Sequence, residues 1–475
     1  MSSANVPAAG PAANAPDRGP RTTPWPTDKM PPGIPYIIGN EAAERFSYYG
    51  ITSILTIFLT EHVLGVSGEP AHLDNNRAQQ VTHDFFAWVY FFPIVGALLS
   101  DGFLGKYRMI VSVSLLYCVG HAVMAISDHS WRFGIAPLDI LWWGMLLVAI
   151  GAGGIKPCVS AHVGDQFGAA NKHLVPRIFG WFYFSINFGS TFATILMPKL
   201  LTWYGPGIAF GVPGVLMAVA TAVFWIGRNK YVHIPAGGIG FLRESFSKEG
   251  LFAILNLAPL FLLLAPFWGL FDQSHSAWVN QAKEMNCHFL GLEIDPAQIQ
   301  SVNPLLVLIF IPLFSYWLYP FLGRFFEVTP LKKIGIGHVL MIPSYALISY
   351  AQQAIDAGGT PSMWWQVGAY VFLTAAEVMI SITGLEFAYT QSPRKMKSLV
   401  MGVFLLSISL GNVLMSKLNG YIADRKEEGR LVLQGADFYW FCTAAIAITG
   451  VVFVIYAQFY RGRTYIQGAE DSETA

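Results

Sequence analysis

The chain has 475 residues, 54% of them apolar and 12% charged, with 29 basic and 29 acidic side chains. The charged share is about half that of a soluble domain. High hydrophobicity at zero net charge excludes a disordered chain and leaves no basic surplus for nucleic acid. The long apolar runs overrule a set of soluble domains and point to an all-α polytopic membrane protein.

Residues 1–34 are rich in Ala and Pro, lack the apolar core of a secretory signal, and read as a disordered tail. Twelve runs long enough to span a bilayer follow, near 35–61, 82–100, 109–127, 139–163, 177–201, 208–227, 252–282, 298–321, 334–352, 364–390, 399–421 and 437–460. They are continuously apolar, unlike the weak alternation of barrel strands. The connection at 228–251 separates a six-helix bundle at 35–227 from a second at 252–460, and it is too short for another spanning pair. Residues 461–475 form a closing tail. Nineteen of the 29 Lys and Arg fall in segments on the side of the two tails, and eight lie in or beside the opposite loops. That asymmetry predicts both termini in the cytoplasm. Cys118, Cys158, Cys287 and Cys442 have no CxxC spacing and support neither a disulfide framework nor a metal site.

An ionisable residue at the centre of a span costs roughly 2.5–3.5 kcal/mol and usually faces a cavity. In span one, Glu41, Glu44, Arg45, Tyr48, Tyr49 and Thr52 form one continuous polar stripe on a helix. Two carboxylates share one guanidinium, which can compensate one of them, so the second is poised to take a proton. A static salt bridge is the alternative, but a structural tie does not need two acids. Span two begins with His83 and Asp84 and carries Tyr90 on the same face; His83 reads as a titrating group or as an interfacial histidine. Span four carries Gly151-Ala152-Gly153-Gly154-Ile155-Lys156-Pro157. Its glycines permit close helix approach, and its proline can break the helix. Lys156 needs an anionic partner, either a span-one glutamate or a substrate carboxylate. Span five has Tyr183, Asn187, Ser190 and Thr194 on one stripe, which serves as helix glue or as a binding surface.

The second half is sparser. Trp268, Phe271, Asp272 and His275 share a face in span seven, Gln300 and Asn303 open span eight, and span ten carries Glu377 and Ser381. Glu386, nine residues after Glu377, points to the opposite face, where a structural pairing and a coupling role are equally open. A cavity between the halves would have separated positive and negative walls, which suits a zwitterion with a proton as driving ion. Read alone, the residues stop at a proton-coupled transporter of a polar solute.

The motif Glu41-x-x-Glu44-Arg45-Phe46-x-Tyr48-Tyr49 resembles the signature of the proton-dependent oligopeptide transporter family of the major facilitator superfamily. Further matches run in order along the chain: Gly154-Ile155-Lys156-Pro157 with Gly164-Asp165-Gln166-Phe167, Phe182-Tyr183-x-x-Ile186-Asn187-x-Gly189-Ser190, Phe267-Trp268-x-x-Phe271-Asp272-Gln273, and Gly384-Leu385-Glu386-Phe387. Gly96-Ala97-x-x-x-Asp101-x-x-x-Gly105-Lys106 is similar to the superfamily's loop motif. The resemblance implies a major facilitator fold of twelve helices in two bundles. It also implies import of di- and tripeptides with protons by alternating access, in a plasma or bacterial inner membrane, with no cofactor beyond the coupling proton. Carried over, Glu41, Glu44, Arg45, His83 and Asp272 would couple protons. Lys156 would hold the peptide carboxylate and Glu377 its amino group. Tyr48, Tyr49, Tyr90, Tyr183, Asn187, Trp268, Asn303 and Ser381 would bind or shape the rest.

Two departures stand out. Thr52 occupies a position where the family usually has an arginine, and Asn256 and Ser315 replace a charged pair of animal members. The first gives weight to a second reading within the family, import of nitrate or another small anion or metabolite; Glu377 opposes it, because a carboxylate disfavours an anion. A membrane enzyme lacks a metal or nucleophile constellation here. A receptor would not need buried titrating groups in both halves. The expected partners are di- and tripeptides, protons and the lipid bilayer, with no nucleic acid.

Overall fold

A computed structural model describes residues 20–460 apart from 246, 290, 391–396 and 431. The first half packs α1 (Ile34–Glu61), α2 (Asn75–Leu99), α3 (Lys106–Ile126), α4 (Pro137–Asp165), α5 (Val175–Tyr204) and α6 (Pro206–Ile226). A short linker helix, α7 (Gly238–Ser245), leads to the second half: α8 (Lys248–Asp272), α9 (Ala277–Ala282), α10 (Val302–Leu313), α11 (Tyr319–Leu322), α12 (Pro330–Asp356), α13 (Trp364–Thr390), α14 (Lys397–Glu427) and α15 (Ala436–Phe459). Two of the twelve expected spans are composite. Span seven is α8 and α9 joined by a 3-10 turn, and span eight is α10 and α11 joined by a π-turn over Phe314–Leu318. Among the described residues, ten spans are long and apolar enough to cross a membrane. The remaining two are α1, with Glu41, Glu44 and Arg45, and α5, with its polar stripe of Asn187, Ser190, Thr191 and Thr194.

Local chemistry sets several boundaries. The Asp74 side chain accepts from the Asn76 and Arg77 N–H groups at 2.8 and 3.3 Å, so α2 begins at Asn75, outside the apolar run. Gly205, with φ near +80°, turns the chain directly from α5 into α6, a conformation that side chains with a Cβ rarely adopt. Pro157, which can break a helix, does not do so here: α4 is continuous through it. The carbonyl that Pro157 cannot serve is that of Gly153, which abuts Gly96 of α2; a Cβ on Gly96 would sit 2.4 Å from that oxygen.

The stretch expected as a disordered tail is, from residue 20 on, held against the first bundle. The Trp25 indole N–H donates to the Lys230 carbonyl at 3.1 Å, and the Arg21 guanidinium lies 4.1 Å from the Trp25 ring centroid. The His233 N–H donates to the Arg21 carbonyl at 2.7 Å. An aromatic anchor and backbone hydrogen bonds thus order residues that composition alone assigned to the tail. Residues 1–19 and 461–475 lie outside the described residues.

Each half has its own apolar core. The halves meet most closely along α2 and α14, and their polar contacts gather at one end of the bundle, where α1 ends and α2 begins. There Arg77 pairs with Asp424 and Glu427 at 2.5 and 3.1 Å, and Lys283 pairs with Glu61 at 2.6 Å. Deeper in, the Ser416 hydroxyl donates to Asp84 at 2.5 Å, and the Ser409 hydroxyl donates to the Ala87 carbonyl at 2.8 Å.

Candidate functional site

The α1 stripe is buried as a unit. Glu44 has no exposure, and Glu41 and Arg45 have 3% and 9%. The i, i+4 spacing brings Glu41 Oε1 to 3.0 Å from Arg45 Nε, while Glu44 Oε2 contacts Arg45 Nη2. Lys156 reaches in from α4, with Nζ 3.7 Å from Glu44 Oε1. The sequence balance of two acids against one arginine is therefore completed by the lysine: two carboxylates face two cations, and Glu44 lies between both. Glu44 is the span-one glutamate that Lys156 needs as a partner. The lysine also lies 4.2 Å from the Tyr48 ring centroid and 5.5 Å from that of Tyr90, so aromatic faces supply the rest of its surroundings. Tyr48 and Tyr90 pack edge to face at 6.4 Å, and Tyr49 packs against Tyr48 at 5.2 Å.

Packing forces this closeness. Gly189 of α5 faces α1, where an added Cβ would lie 2.6 Å from the Ala42 carbonyl oxygen and 3.3 Å from Arg45 Cβ. Absence of a side chain there lets α5 press the charged stripe toward α4. The polar stripe of α5 is spent largely on its own helix. The Asn187 amide donates to the Tyr183 carbonyl at 3.0 Å, and the Thr191 hydroxyl donates to the Asn187 carbonyl at 2.8 Å. Tyr183 itself packs against apolar residues of α10 and α13 in the second half. Thr52, in the place of the family arginine, is buried and donates to the Tyr49 carbonyl at 3.1 Å.

A second group lies in the other half. The Asn303 amide donates to Glu377 Oε2 at 2.7 Å and to Thr374 Oγ1 at 3.1 Å, joining α10 to α13. Ser381 is half-buried one turn beyond Glu377. Trp268 is buried against Phe267, Phe271 and Phe404, and its indole N–H has no partner among the described residues. The side chain of Glu386 lies outside the described residues. Asn256 donates to the Tyr460 hydroxyl at 3.3 Å, and Ser315 is exposed, so neither stands in for the charged pair of animal members.

A third group bridges the halves. Asn412 of α14 donates through Nδ2 to Asp272 Oδ2 at 2.6 Å. Its oxygen then accepts from His83 Nδ1 at 2.7 Å, and the Ser276 hydroxyl meets His83 Nε2 at 3.1 Å. Asp272 and Ser276 flank the break in span seven. Its loosened carbonyls are taken by tyrosines: Tyr345 donates to Leu270 at 2.6 Å, Tyr370 to Ser274 at 3.3 Å, and Tyr439 to Ala277 at 3.0 Å. The break turns His275 away from Trp268 and toward Gln300, 2.5 Å from its Nδ1, and Gln300 reaches the Ser53 carbonyl at 3.3 Å. Glycine again permits the approach, since a Cβ on Gly411 would sit 2.1 Å from the Ala265 carbonyl. Asn412 and Ser276 were not among the residues singled out in sequence. An uncharged amide or hydroxyl in an apolar run reads as helix glue, and the signal available was the pair they serve, His83 and Asp272.

The sequence profile of the POT family matches residues 107–248 and 242–441. The chain is 38% identical over 356 residues to Peptide transporter family 1 of Drosophila melanogaster, covering 65% of this chain and 46% of that protein. It is 34% identical over 379 residues to Solute carrier family 15 member 1 of Homo sapiens, covering 69% and 52%. The chain thus spans about half the length of the curated relatives it matches. Among solved structures, the POT family transporter PepTSo superposes with a TM-score of 0.79 at 35% identity, covering 91% of this chain and 99% of that one. A proton dependent oligopeptide (POT) family transporter superposes at 0.73 with 37% identity, covering 88% and 100%. The helical, two-bundle major facilitator fold expected from the sequence is that of these transporters, and these relatives are multi-pass membrane transporters, not enzymes.

Proposed function

The chain belongs to the POT family, and on that premise we propose that it is a symporter that imports di- and tripeptides together with protons. The observation that carries the reading is the buried balance of Glu41, Glu44, Arg45 and Lys156 on α1 and α4. A peptide carboxylate that binds Lys156 must displace Glu44. Two carboxylates and a peptide carboxylate would then face two cations in low dielectric, which is costly. A proton on Glu44 or Glu41 restores neutrality, so peptide and proton enter together. Glu377, fixed through one oxygen by Asn303, offers its other oxygen to the peptide amino group from the opposite half. His83, Asn412 and Asp272 would transmit the protonation to the end of the bundle where the halves are latched. With both termini in the cytoplasm, that end faces outward, and it is the closed end here.

The test is uptake of labelled dialanine into proteoliposomes with an inward proton gradient and a negative interior. Uptake that collapses with a protonophore and is competed by mixed di- and tripeptides is the expected result. Folded protein that takes up no peptide, but takes up nitrate or another small anion, would replace this reading with the anion importer.

A further inference from the structure

Three cations at one end of the first bundle are gathered without an acid to meet them. Arg228 and Lys230 close the apolar span of α6, which runs from Pro206 to Lys230 when its last 3-10 turn is included. Arg21 joins them from the strap at residues 20–33. Each lies on a ring. Arg228 is 4.0 Å from the Trp225 centroid, Arg21 is 4.1 Å from that of Trp25, and Lys230 is 4.5 Å from that of Tyr36. Lys230 also donates to the Tyr36 hydroxyl at 2.5 Å. Backbone ties hold the three together. The Trp25 indole N–H donates to the Lys230 carbonyl at 3.1 Å, the His233 N–H to that of Arg21 at 2.7 Å, and His233 Nε2 to that of Arg228 at 2.8 Å. Glycines permit the approach, since a Cβ on Gly33 would lie 3.2 Å from the Lys230 carbonyl oxygen and one on Gly227 2.9 Å from Tyr36 Cγ. Among the described residues none of the three cations has a carboxylate partner, and Asp28, the one acid of the strap, is exposed. We propose that Arg21, Arg228 and Lys230 form a binding site for the phosphate of an anionic phospholipid, with the strap as one wall. On the orientation given above, that lipid belongs to the inner leaflet.

Basic residues at the end of a span are common on the cytoplasmic side. These differ in being seated on rings, tied backbone to backbone, and joined by a third cation from a distant part of the chain. The seating leaves donors free. Arg228 uses Nη1 on the Trp225 carbonyl at 3.2 Å, and Lys230 uses one donor of three on Tyr36. The rest suit a phosphate, which relieves the mutual repulsion of the three charges. A lipid fits better than a soluble phosphate because Trp225 and Ile226 are 50% and 60% exposed on the same turn of α6, where acyl chains would lie. An anionic headgroup fits better than a choline one, whose ammonium would bring a fourth cation to the cluster. By linkage, a lipid bound there steadies the strap, and a docked strap tightens the lipid.

The test is lipid binding to the delipidated full chain, read by native mass spectrometry. Dioleoylphosphatidylglycerol and dioleoylphosphatidylcholine are titrated separately, and the first phosphatidylglycerol binds more tightly than any phosphatidylcholine. Arg21→Gln, Arg228→Gln and Lys230→Gln each weaken that first lipid by about five-fold, the effect expected of one basic residue at an anionic surface, and leave phosphatidylcholine unchanged. Trp25→Leu keeps every charge but removes the seat of Arg21 and the tie to Lys230, and it weakens the same lipid. The matched control removes equal charge at the turn between spans eight and nine, through Arg324→Gln, Lys332→Gln and Lys333→Gln, and leaves the first phosphatidylglycerol unchanged. Equal losses in the two sets reduce the effect to general charge attraction and overturn the site. An Arg21→Gln variant that binds as wild type overturns the strap's part in it, and with that the site as drawn. Equal binding of the two lipids, or displacement of the first phosphatidylglycerol by glycerol 3-phosphate, overturns the assignment to an anionic lipid. Neither peptide nor transport enters the measurement, so its outcome is independent of the peptide reading.

Discussion

Glu44→Gln is the most informative single perturbation. In the native protein Glu44 lies 3.7 Å from Lys156 and also contacts Arg45. At an effective dielectric of ~20, one such pair interacts by roughly 4 kcal/mol. The glutamine keeps the shape but leaves one carboxylate, Glu41, for two buried cations. Without peptide the variant carries an uncompensated charge and loses roughly 3–5 kcal/mol of stability. A peptide carboxylate now meets Lys156 without displacing Glu44. Recovery of even a third of the pair energy, about 1.4 kcal/mol, tightens binding tenfold. The variant should therefore melt lower than wild type, gain more from added dialanine, and bind it with weaker pH dependence. It should exchange labelled for unlabelled dialanine across the membrane, yet fail to concentrate it against a gradient, because no displaced carboxylate takes a proton. Melting curves, equilibrium binding at two pH values, counterflow and gradient-driven uptake test each step. Accumulation equal to wild type, or unchanged affinity with unchanged pH dependence, would refute the exchange of partners at Lys156.

Three further outcomes follow from the geometry. Lys156→Ala should abolish uptake of peptides with a free carboxyl terminus and spare binding of C-amidated dipeptides; equal losses would remove Lys156 as the carboxylate site. Glu377→Gln should weaken peptides with a free amino terminus more than N-acetylated ones, and competition assays showing the same loss for both would exclude it as the amine site. Gly189→Ala would bring a Cβ to 2.6 Å from the Ala42 carbonyl, an overpacking that backbone atoms cannot yield to, at a cost of about 1–3 kcal/mol. Its melting temperature should fall and its uptake with it, and a variant as stable and active as wild type would show that α5 does not press α1 toward α4.

The charged stripe of α1 was legible because buried charge is expensive. Glu41, Glu44 and Arg45 in an otherwise apolar run stand out against any lipid-facing explanation. Lys156 was legible for the same reason, and its need for an anion pointed to α1. The balance between them was not, because spacing within one helix does not say how far a lysine on another helix reaches. Asn412 was silent since amides are common between membrane helices. The break after Asp272 depends on Tyr345, Tyr370 and Tyr439, each remote in sequence, so no local pattern announces it. Pro157 shows the converse, a local breaker that the continuous α4 accommodates beside its close contact with Gly96. The tail was misread between residues 20 and 33 because its order comes from one tryptophan and a few backbone groups, a signal too small for composition to register.

The central claim is that peptide and proton cross together, and it is tested most directly by a pH dye sealed inside proteoliposomes. The vesicles start at equal pH on both sides with a potassium diffusion potential, negative inside, and unlabelled dialanine is added outside. The account predicts acidification of the lumen that depends on dialanine and is absent in Glu44→Gln. Entry of labelled dialanine without any change in internal pH would contradict it.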